Sequence, residues 1–324
     1  MKAVSVSRYG GPEVLEIVDV DTPSPGAGQV LVDVAFAGVN FMDIYARSGV
    51  GQYAETPPFV LGGEGSGRVL AVGDGVSGFA PGQRVVWKAA RGSYAELVAA
   101  PAAELVPVPD AVSDEAAAAV FLQGLTAHYL VHSTHPIQTG EVVVVHAAAG
   151  GVGLLLTQMA TLRGARVVGT VSSAEKERLA REAGAAEVVR YDQTTVSDAV
   201  RELTGGEGAA AVYDGVGQAT FEESLKCLRP RGMLVLFGAS SGQVPPFDLH
   251  RLASAGSLFV TRPTLVHYTR DRAELLDRAV QVLDLVANGR LRVHIGGRHA
   301  LADAQQAHRD LESRRTVGKL LLIP

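Results

Sequence analysis

The chain contains a single cysteine, Cys227, in 324 residues. One thiol excludes a disulfide framework and any zinc site built from a cluster of thiolates. An excess of basic charge is also missing. The formal net charge is −5, so no bulk field draws the protein to nucleic acid or to an anionic membrane. Long apolar runs are absent too. The longest stretch, Val142 to Leu156 (VVVVHAAAGGVGLLL), is too short and too glycine-rich to span a bilayer. The opening residues, MKAVSVSRYG, pass directly into strand-like alternation without the apolar core of a signal peptide. The expectation is therefore a soluble cytoplasmic protein.

What is present is 47% hydrophobic residues with 37 glycines, in a chain long enough for two cores. Residues 1–122 read as mostly β. Runs such as QVLVDVAFAGV (29–39) and SGRVLAVG (66–73) are separated by Gly/Pro/Asp turns. Ser113 then looks like the N-cap of an alanine-rich helix. From residue 142 the texture changes to short valine-rich runs alternating with helical patterns. Strands that are apolar throughout, alternating with helices, imply a parallel sheet covered on both faces. A sixth strand is expected at 256–263 and a long amphipathic helix at 271–288. The fold class is thus α/β: a mostly-β domain from 1–122 and 263–324, and a doubly wound parallel-sheet domain from 123–262.

The valine run 142–145 leads into His146 and a glycine-rich turn. A dinucleotide loop needs three small positions, for the turn, the phosphate approach and helix–strand packing. Here they fall at Ala148, Gly150 and Gly153, and the backbone of Ala149, Gly150, Gly151 and Val152 would face a pyrophosphate. His146 itself reads as a packing residue. An NAD site usually carries an acidic residue at the end of the second strand. This chain has Thr170, Ser172 and Ser173 there, followed by Lys176, with Tyr191 at the end of the third strand. Hydroxyls and a lysine suit a 2′-phosphate, so the expected cofactor is NADP(H), with Glu175 the one contrary charge.

Seven stretches in this order resemble the zinc-independent quinone oxidoreductases, the zeta-crystallin-like group of the medium-chain dehydrogenase/reductase superfamily. They are GVNFMDIYARSG (38–49), QGLTAHYL (123–130), HAAAGGVG (146–153), YDGVG (213–217), FGASSG (237–242), VTRP (260–263) and LESRRTVGKLLLIP (311–324). The resemblance spans essentially the whole chain. It implies a GroES-like catalytic domain beside a Rossmann domain, a homodimer formed through the edge strand near LFVTR, and a quinone or enone as substrate. Zinc-dependent relatives place a ligand cysteine near GVNFMD and read Gly-His-Glu where this chain has Gly62-Gly63-Glu64, so no metal is expected.

By the same resemblance Asn40, Asp43, Tyr45 and Arg47 stand at the reacting end; Tyr53, in a loop a few residues on, would line the cleft, and Arg262, after the sixth strand, would add positive charge or hold the cofactor. Asn40 and Tyr45 would donate hydrogen bonds to a carboxamide or a developing oxyanion. Cofactor contacts would come from Asn40, Tyr45, Tyr129, Gln218, Phe237, Gly238, Ser240, Val260, Thr261, Arg262 and Arg314. Ala239 departs from the asparagine common in the family. Asp43 and Arg47, four apart, fit either a helical ion pair or a catalytic role, and Tyr129 fits a cofactor contact or a core tyrosine. His128, His132 and His135 have a metal-like spacing, but Pro136 interrupts their helix. Three other functions compete, one of them a non-enzymatic, nucleotide-gated binding or structural role, for which the acidic pI and lack of basic stripes count against RNA as partner. An enone or enal reductase would share this fold. A serine hydrolase is suggested by GASSG at 238–242, with Asp248, His294 and His299 as possible partners, but the prolines of QVPPFD oppose the strand-to-helix elbow it needs.

Overall fold

The computed structural model describes residues 1–324. In chain order it contains β1 (Lys2–Val6), β2 (Leu15–Asp19), β3 (Gln29–Val39), α1 (Phe41–Arg47), β4 (Phe59–Val60), β5 (Gly65–Val72), β6 (Arg84–Trp87), β7 (Leu97–Pro101), β8 (Val106–Pro107) and α2 (Asp114–Tyr129). The parallel-sheet region follows with β9 (Val142–Val145), α3 (Gly151–Leu162), β10 (Arg166–Val171), α4 (Ala174–Glu182), β11 (Glu187–Arg190), α5 (Val196–Leu203), β12 (Ala209–Asp214), α6 (Phe221–Cys227), β13 (Leu228–Leu236), α7 (His250–Ser254) and β14 (Phe259–Thr261). The chain ends with α8 (Arg272–Ala287), β15 (Ile295–Ala300), α9 (Ala304–Glu312) and β16 (Lys319–Ile323).

These elements form two compact units, Met1–Gln123 with Asp271–Pro324, and Gly124–Arg270. The first crossing lies inside α2. The second falls at Asp271 rather than at 263, because Tyr268 stacks on Tyr129 of the parallel-sheet unit, ring centroids 4.2 Å apart.

In the first unit β2-β1-β4 make a small sheet, and a seven-stranded sheet runs β15-β16-β3-β5-β6-β8, with β7 also paired to β3. Alternation along β3 drives this arrangement: Val30, Val32 and Val34 point into one buried cluster with Leu105, Trp87, Leu320 and Leu322. Register then brings distant residues together. Leu320 lies opposite Val39 and Gly65 opposite Ala37. Lys319 and Glu64, one residue before Leu320 and Gly65 respectively, therefore converge on the Gly38–Asn40 corner where β3 ends.

In the second unit all six strands are parallel, in the order β11-β10-β9-β12-β13-β14. Sequence order reverses between β9 and β12, which is where open α/β sheets bind ligands at their carboxyl ends. The valine-rich runs of β9, β10 and β12 become strands buried in all but at most their first residue, as their lack of alternation implied, while β11 at the edge is mostly half-buried.

Candidate active site

Helix α1 has two different faces. Asn40, Asp43, Ile44 and Arg47 are buried, while Phe41, Tyr45 and Tyr53 just beyond the helix are half-buried. The three rings form one aromatic face: Phe41 and Tyr45 are 6.4 Å apart, and Tyr45 and Tyr53 5.7 Å, both pairs tilted.

Two hydrogen-bond networks hold the buried face. At the N-terminal end the amide oxygen of Asn40 accepts from Lys319 Nζ at 2.7 Å. The Asn40 amide nitrogen donates to Glu64 Oε2 at 2.8 Å and to the Gly38 carbonyl at 3.3 Å. Its two hydrogens are thus directed into the protein, not toward a carboxamide or an oxyanion as the sequence suggested. The cause is the buried Lys319–Glu64 pair, which sets the orientation of the amide.

The second network joins Asp43 and Arg47 without pairing them. Arg47 Nη1 lies 3.0 Å from His308 Nδ1, Tyr94 Oη lies 3.3 Å from His308 Nε2, and Tyr94 donates to Asp43 Oδ2 at 3.0 Å. Arginine can only donate, so Nδ1 accepts and the hydrogen of a neutral His308 sits on Nε2. All the donors therefore point toward Asp43, which also accepts the Asn40 N–H at 2.8 Å. Burial pushes the Asp43 carboxyl up to about 7, against the pull of these donors and of Lys319. Burial, with the Arg47 charge beside it, drives His308 down to about 3. Arg47 completes the chain through Glu312 at 2.6 Å and the Gly10 carbonyl at 3.1 Å. Neither a simple helical ion pair nor an exposed catalytic pair describes Asp43 and Arg47.

In the second unit the glycine turn is tightly built. The N–H of Gly150 bonds to the Ala147 carbonyl, and Ala147 itself has φ 50°, a left-handed conformation unusual for a residue with a Cβ. The first intrahelical bond of α3 runs from Leu154 N–H to the Gly150 carbonyl. The amides of Gly151, Val152 and Gly153 therefore precede the hydrogen-bonded helix and form its positive end. A Cβ on Gly153 would stand 2.2 Å from the Ala147 carbonyl oxygen, and one on Gly150 3.2 Å from the same atom. Gly153 thus serves the packing of helix against turn, and a side chain at Gly150 would crowd the same carbonyl more mildly.

The other residues expected at a cofactor lie along the same carboxyl edge. Ser172, Ser173 and Lys176 follow β10 and are half-buried; Ser173 caps α4 by accepting the Lys176 N–H, and Glu175 is exposed. Tyr191, 56% exposed, follows β11. Gln218 follows β12, Phe237, Gly238 and Ser240 follow β13, and Arg262 follows Val260 and Thr261 of β14. Tyr129 differs: it is buried, with its ring stacked on Tyr268, so it reads as a core tyrosine. Arg314 is an exposed left-handed residue of the first unit.

Sequence reasoning missed the residues beneath this edge. Asp214 accepts from the Val216 and Gly217 amides and from the hydroxyls of Thr220 and Ser224. Ser224 lies 3.0 Å from His146 Nε2, and His146 Nδ1 lies 2.9 Å from Thr170 Oγ1. Since Ser224 gives its hydrogen to Asp214, His146 must donate from Nε2 and accept from Thr170. Burial lowers the His146 pKa and keeps the ring neutral. His146 is therefore a link between the ends of β9, β10 and β12, not merely a packing residue. The serine-hydrolase alternative fails on geometry: β13 leads into an extended loop and the next helix begins only at His250. His128 and His132 stack on each other across a π turn, Leu130–Thr134, and His135 pairs with Glu141.

Family models match both regions: an alcohol dehydrogenase GroES-like domain over residues 26–110 and a zinc-binding dehydrogenase domain over 151–283. A quinone oxidoreductase of Pseudomonas aeruginosa is 45% identical, covering 100% of this chain and 99% of its own. A 2-haloacrylate reductase of Burkholderia is 38% identical over 99% of this chain and 98% of its own. Among solved structures, a mycobacterial protein complexed with NADPH superposes with TM-score 0.96 at 50% identity, with full coverage of both chains. The Escherichia coli quinone oxidoreductase complexed with NADPH does so with TM-score 0.97 at 41% identity, again with full coverage of both. The chain belongs to the quinone oxidoreductase family of medium-chain dehydrogenases/reductases. It is an oxidoreductase, built from a GroES-like unit and a Rossmann-type unit.

The name of one matched family model raises the question of zinc. In this quinone oxidoreductase family member the residues do not fit such an ion. Glu64 already accepts from Lys319 and Asn40 at Oε2 and from the Leu122 N–H at Oε1. Gly63 brings no imidazole, and nowhere do three or more His, Cys, Asp or Glu side chains stand together as ligands. Cys227 is buried in the other unit.

Proposed function

We propose that the protein reduces quinones with NADPH, without zinc. The observation that carries this reading is the aromatic face of Phe41, Tyr45 and Tyr53, the first two borne by a helix whose opposite face is fixed by charged networks. Such a face offers stacking to a flat conjugated acceptor, and a quinone accepts hydride without prior activation by a metal.

The glycine turn and the three helix-end amides that follow it fit the pyrophosphate of a dinucleotide. Ser172, Ser173 and Lys176 fit a 2′-phosphate, and the NADPH found in related structures supports the same choice. When bound, NADPH supplies the hydride. The chain's own residues bind and orient. Gln218, Phe237, Gly238, Ser240, Val260, Thr261 and Arg262 would line the cofactor's path along the sheet edge. Tyr45 and Tyr53 would hold the acceptor, with Asn40 and Asp43 setting the helix that presents them.

The test is steady-state turnover of 1,4-benzoquinone, 9,10-phenanthrenequinone, 2-hexenal and 2-chloroacrylate with NADPH. Turnover of the quinones is expected; turnover of the alkenes alone would overturn the reading. The haloacrylate-reducing relative supports reduction of activated double bonds as the second possibility.

We further read the protein as a cytoplasmic homodimer. No helix is long and apolar enough to cross a membrane. β14 is an edge strand with Phe259 and Val260 exposed, a surface that pairing with a second copy would cover.

A further inference from the structure

Lys319 and Glu64 are 1% and 0% exposed, and their ammonium and carboxylate groups meet at 2.5 Å. Each has a further partner: Lys319 Nζ donates to Asn40 Oδ1, and Glu64 accepts from Asn40 Nδ2 and from the Leu122 N–H. There is no slack around them. A Cβ on Gly38 would fall 2.3 Å from Glu64 Oε2 and 2.9 Å from Lys319 Cε. Two charges buried in this way contribute little to stability relative to apolar side chains of similar volume, because desolvation offsets their attraction. Stability is therefore a weak explanation for the pair, and its geometry offers a better one. Apart from the Leu122 N–H, both members converge on Asn40, the residue that starts α1, and α1 presents Phe41 and Tyr45.

We infer that Lys319 and Glu64 are positioning residues for the reaction: together they fix the Asn40 amide, and through it the start of α1 and the orientation of its aromatic face. The pair touches no reactant. Lys319 Nζ occupies Asn40 Oδ1, which leaves the amide one orientation, with its nitrogen toward Glu64. The Asn40 N–H then reaches Asp43 Oδ2, tying the first turn of α1 to the same anchor. Asn40 acts as the joint between the ion pair and the helix, which accounts for why its hydrogen-bonding groups are turned inward. This inference rests on the proposed quinone reduction only for its kinetic readout.

The experiment compares wild type, Glu64→Gln, Lys319→Met and the double variant Lys319→Met/Glu64→Gln. Lys319→Met leaves Glu64 buried without its cation and should lose stability; the double variant removes both charges and should regain it. In the double variant kcat for 1,4-benzoquinone should remain roughly ten- to a hundredfold below wild type, with the NADPH KM changed by less than about twofold. Recovery of kcat together with stability would overturn the inference, since the pair would then be structural only. Amide hydrogen exchange across 40–47, measured without cofactor, provides a readout independent of turnover. Glu64→Gln should speed exchange there and leave β9–β14 unchanged; no local change would overturn the inference even if the double variant does not fold. Wild type failing on every quinone would instead refute the functional reading and leave the exchange result to judge the pair.

Discussion

Each unit buries a polar network, and the two are built differently. In the first unit Lys319, Glu64, Arg47 and Glu312 bring formal charges to the ends of one seven-residue helix. In the second, Asp214 is the one carboxylate of its network, satisfied by backbone amides and neutral hydroxyls, with His146 as a neutral link. The first holds side chains in place; the second holds loops in place. A short helix makes too few internal hydrogen bonds to keep its own orientation, so side chains from β16, α9 and the β5 entry must fix it. A strand end followed by a glycine turn needs its backbone donors satisfied, and one carboxylate can accept several of them.

The contrast is broken most directly by removing one centre of each kind. Arg47→Met should cost the first unit about 3–5 kcal/mol, by leaving His308 and the Gly10 carbonyl without their donor. The only tryptophan, Trp87, lies in that unit, so its emission during denaturant unfolding reads the loss. Gly150→Val should keep a folded protein but weaken NADPH binding roughly a hundredfold, followed by the enhancement of nicotinamide fluorescence. Unchanged binding would make the cradle a packing turn. Lys176→Ala should narrow the preference for NADPH over NADH about tenfold in kcat/KM. An unaltered ratio would remove the basis for choosing NADP(H) from these side chains. Ser224→Ala should cost the second unit about 1–3 kcal/mol: Asp214 keeps its other donors, but the buried Nε2–H of His146 loses its acceptor. A cost equal to that of Arg47→Met would erase the distinction between the two networks.

Much of this was legible in the residues, for a physical reason. A parallel sheet buried on both faces forces apolar runs such as VVVV and AAAVY, and the crossovers force helices between them. Glycine at 153 marks a close approach of helix to turn that a larger residue cannot make. Long-range register is what the local pattern does not carry. Lys319 stands 255 residues from Glu64 and 279 from Asn40, and nothing around GKLLLIP announces that its lysine is buried. His308 is 261 residues from Arg47, in a helix whose pattern reads as ordinary surface. For that reason Asp43 and Arg47 suggested a local ion pair, although their partners come from elsewhere in the chain. His146 suggested packing because Ser224 and Asp214 lie far along the chain.

The effect that develops only with pH concerns Asp43 and His308, which are linked through Tyr94. Asp43 is raised by burial from 3.8 to about 7, so between those values the folded protein binds the proton more tightly than the unfolded chain, and this group's contribution to stability falls as pH rises. His308 is lowered by burial from 6.5 to about 3, so there the unfolded chain binds more protons, and stability rises with pH. From about pH 4 to 6.5 each state carries one proton on the pair, on Asp43 when folded and on His308 when unfolded, and the two slopes cancel. Replacing either partner unmasks the other. His308→Gln should make stability, relative to wild type, decline as pH rises from 4 to 7, and Asp43→Asn should make it climb between 3 and 6.5. Neither difference should exceed about 1.4 kcal/mol per pH unit, the value for one whole proton. Trp87-monitored unfolding at half-unit pH steps measures both. Parallel curves for the two variants would show that Asp43 and His308 do not exchange this proton, and that the first unit's network is held by Arg47 and Lys319 alone.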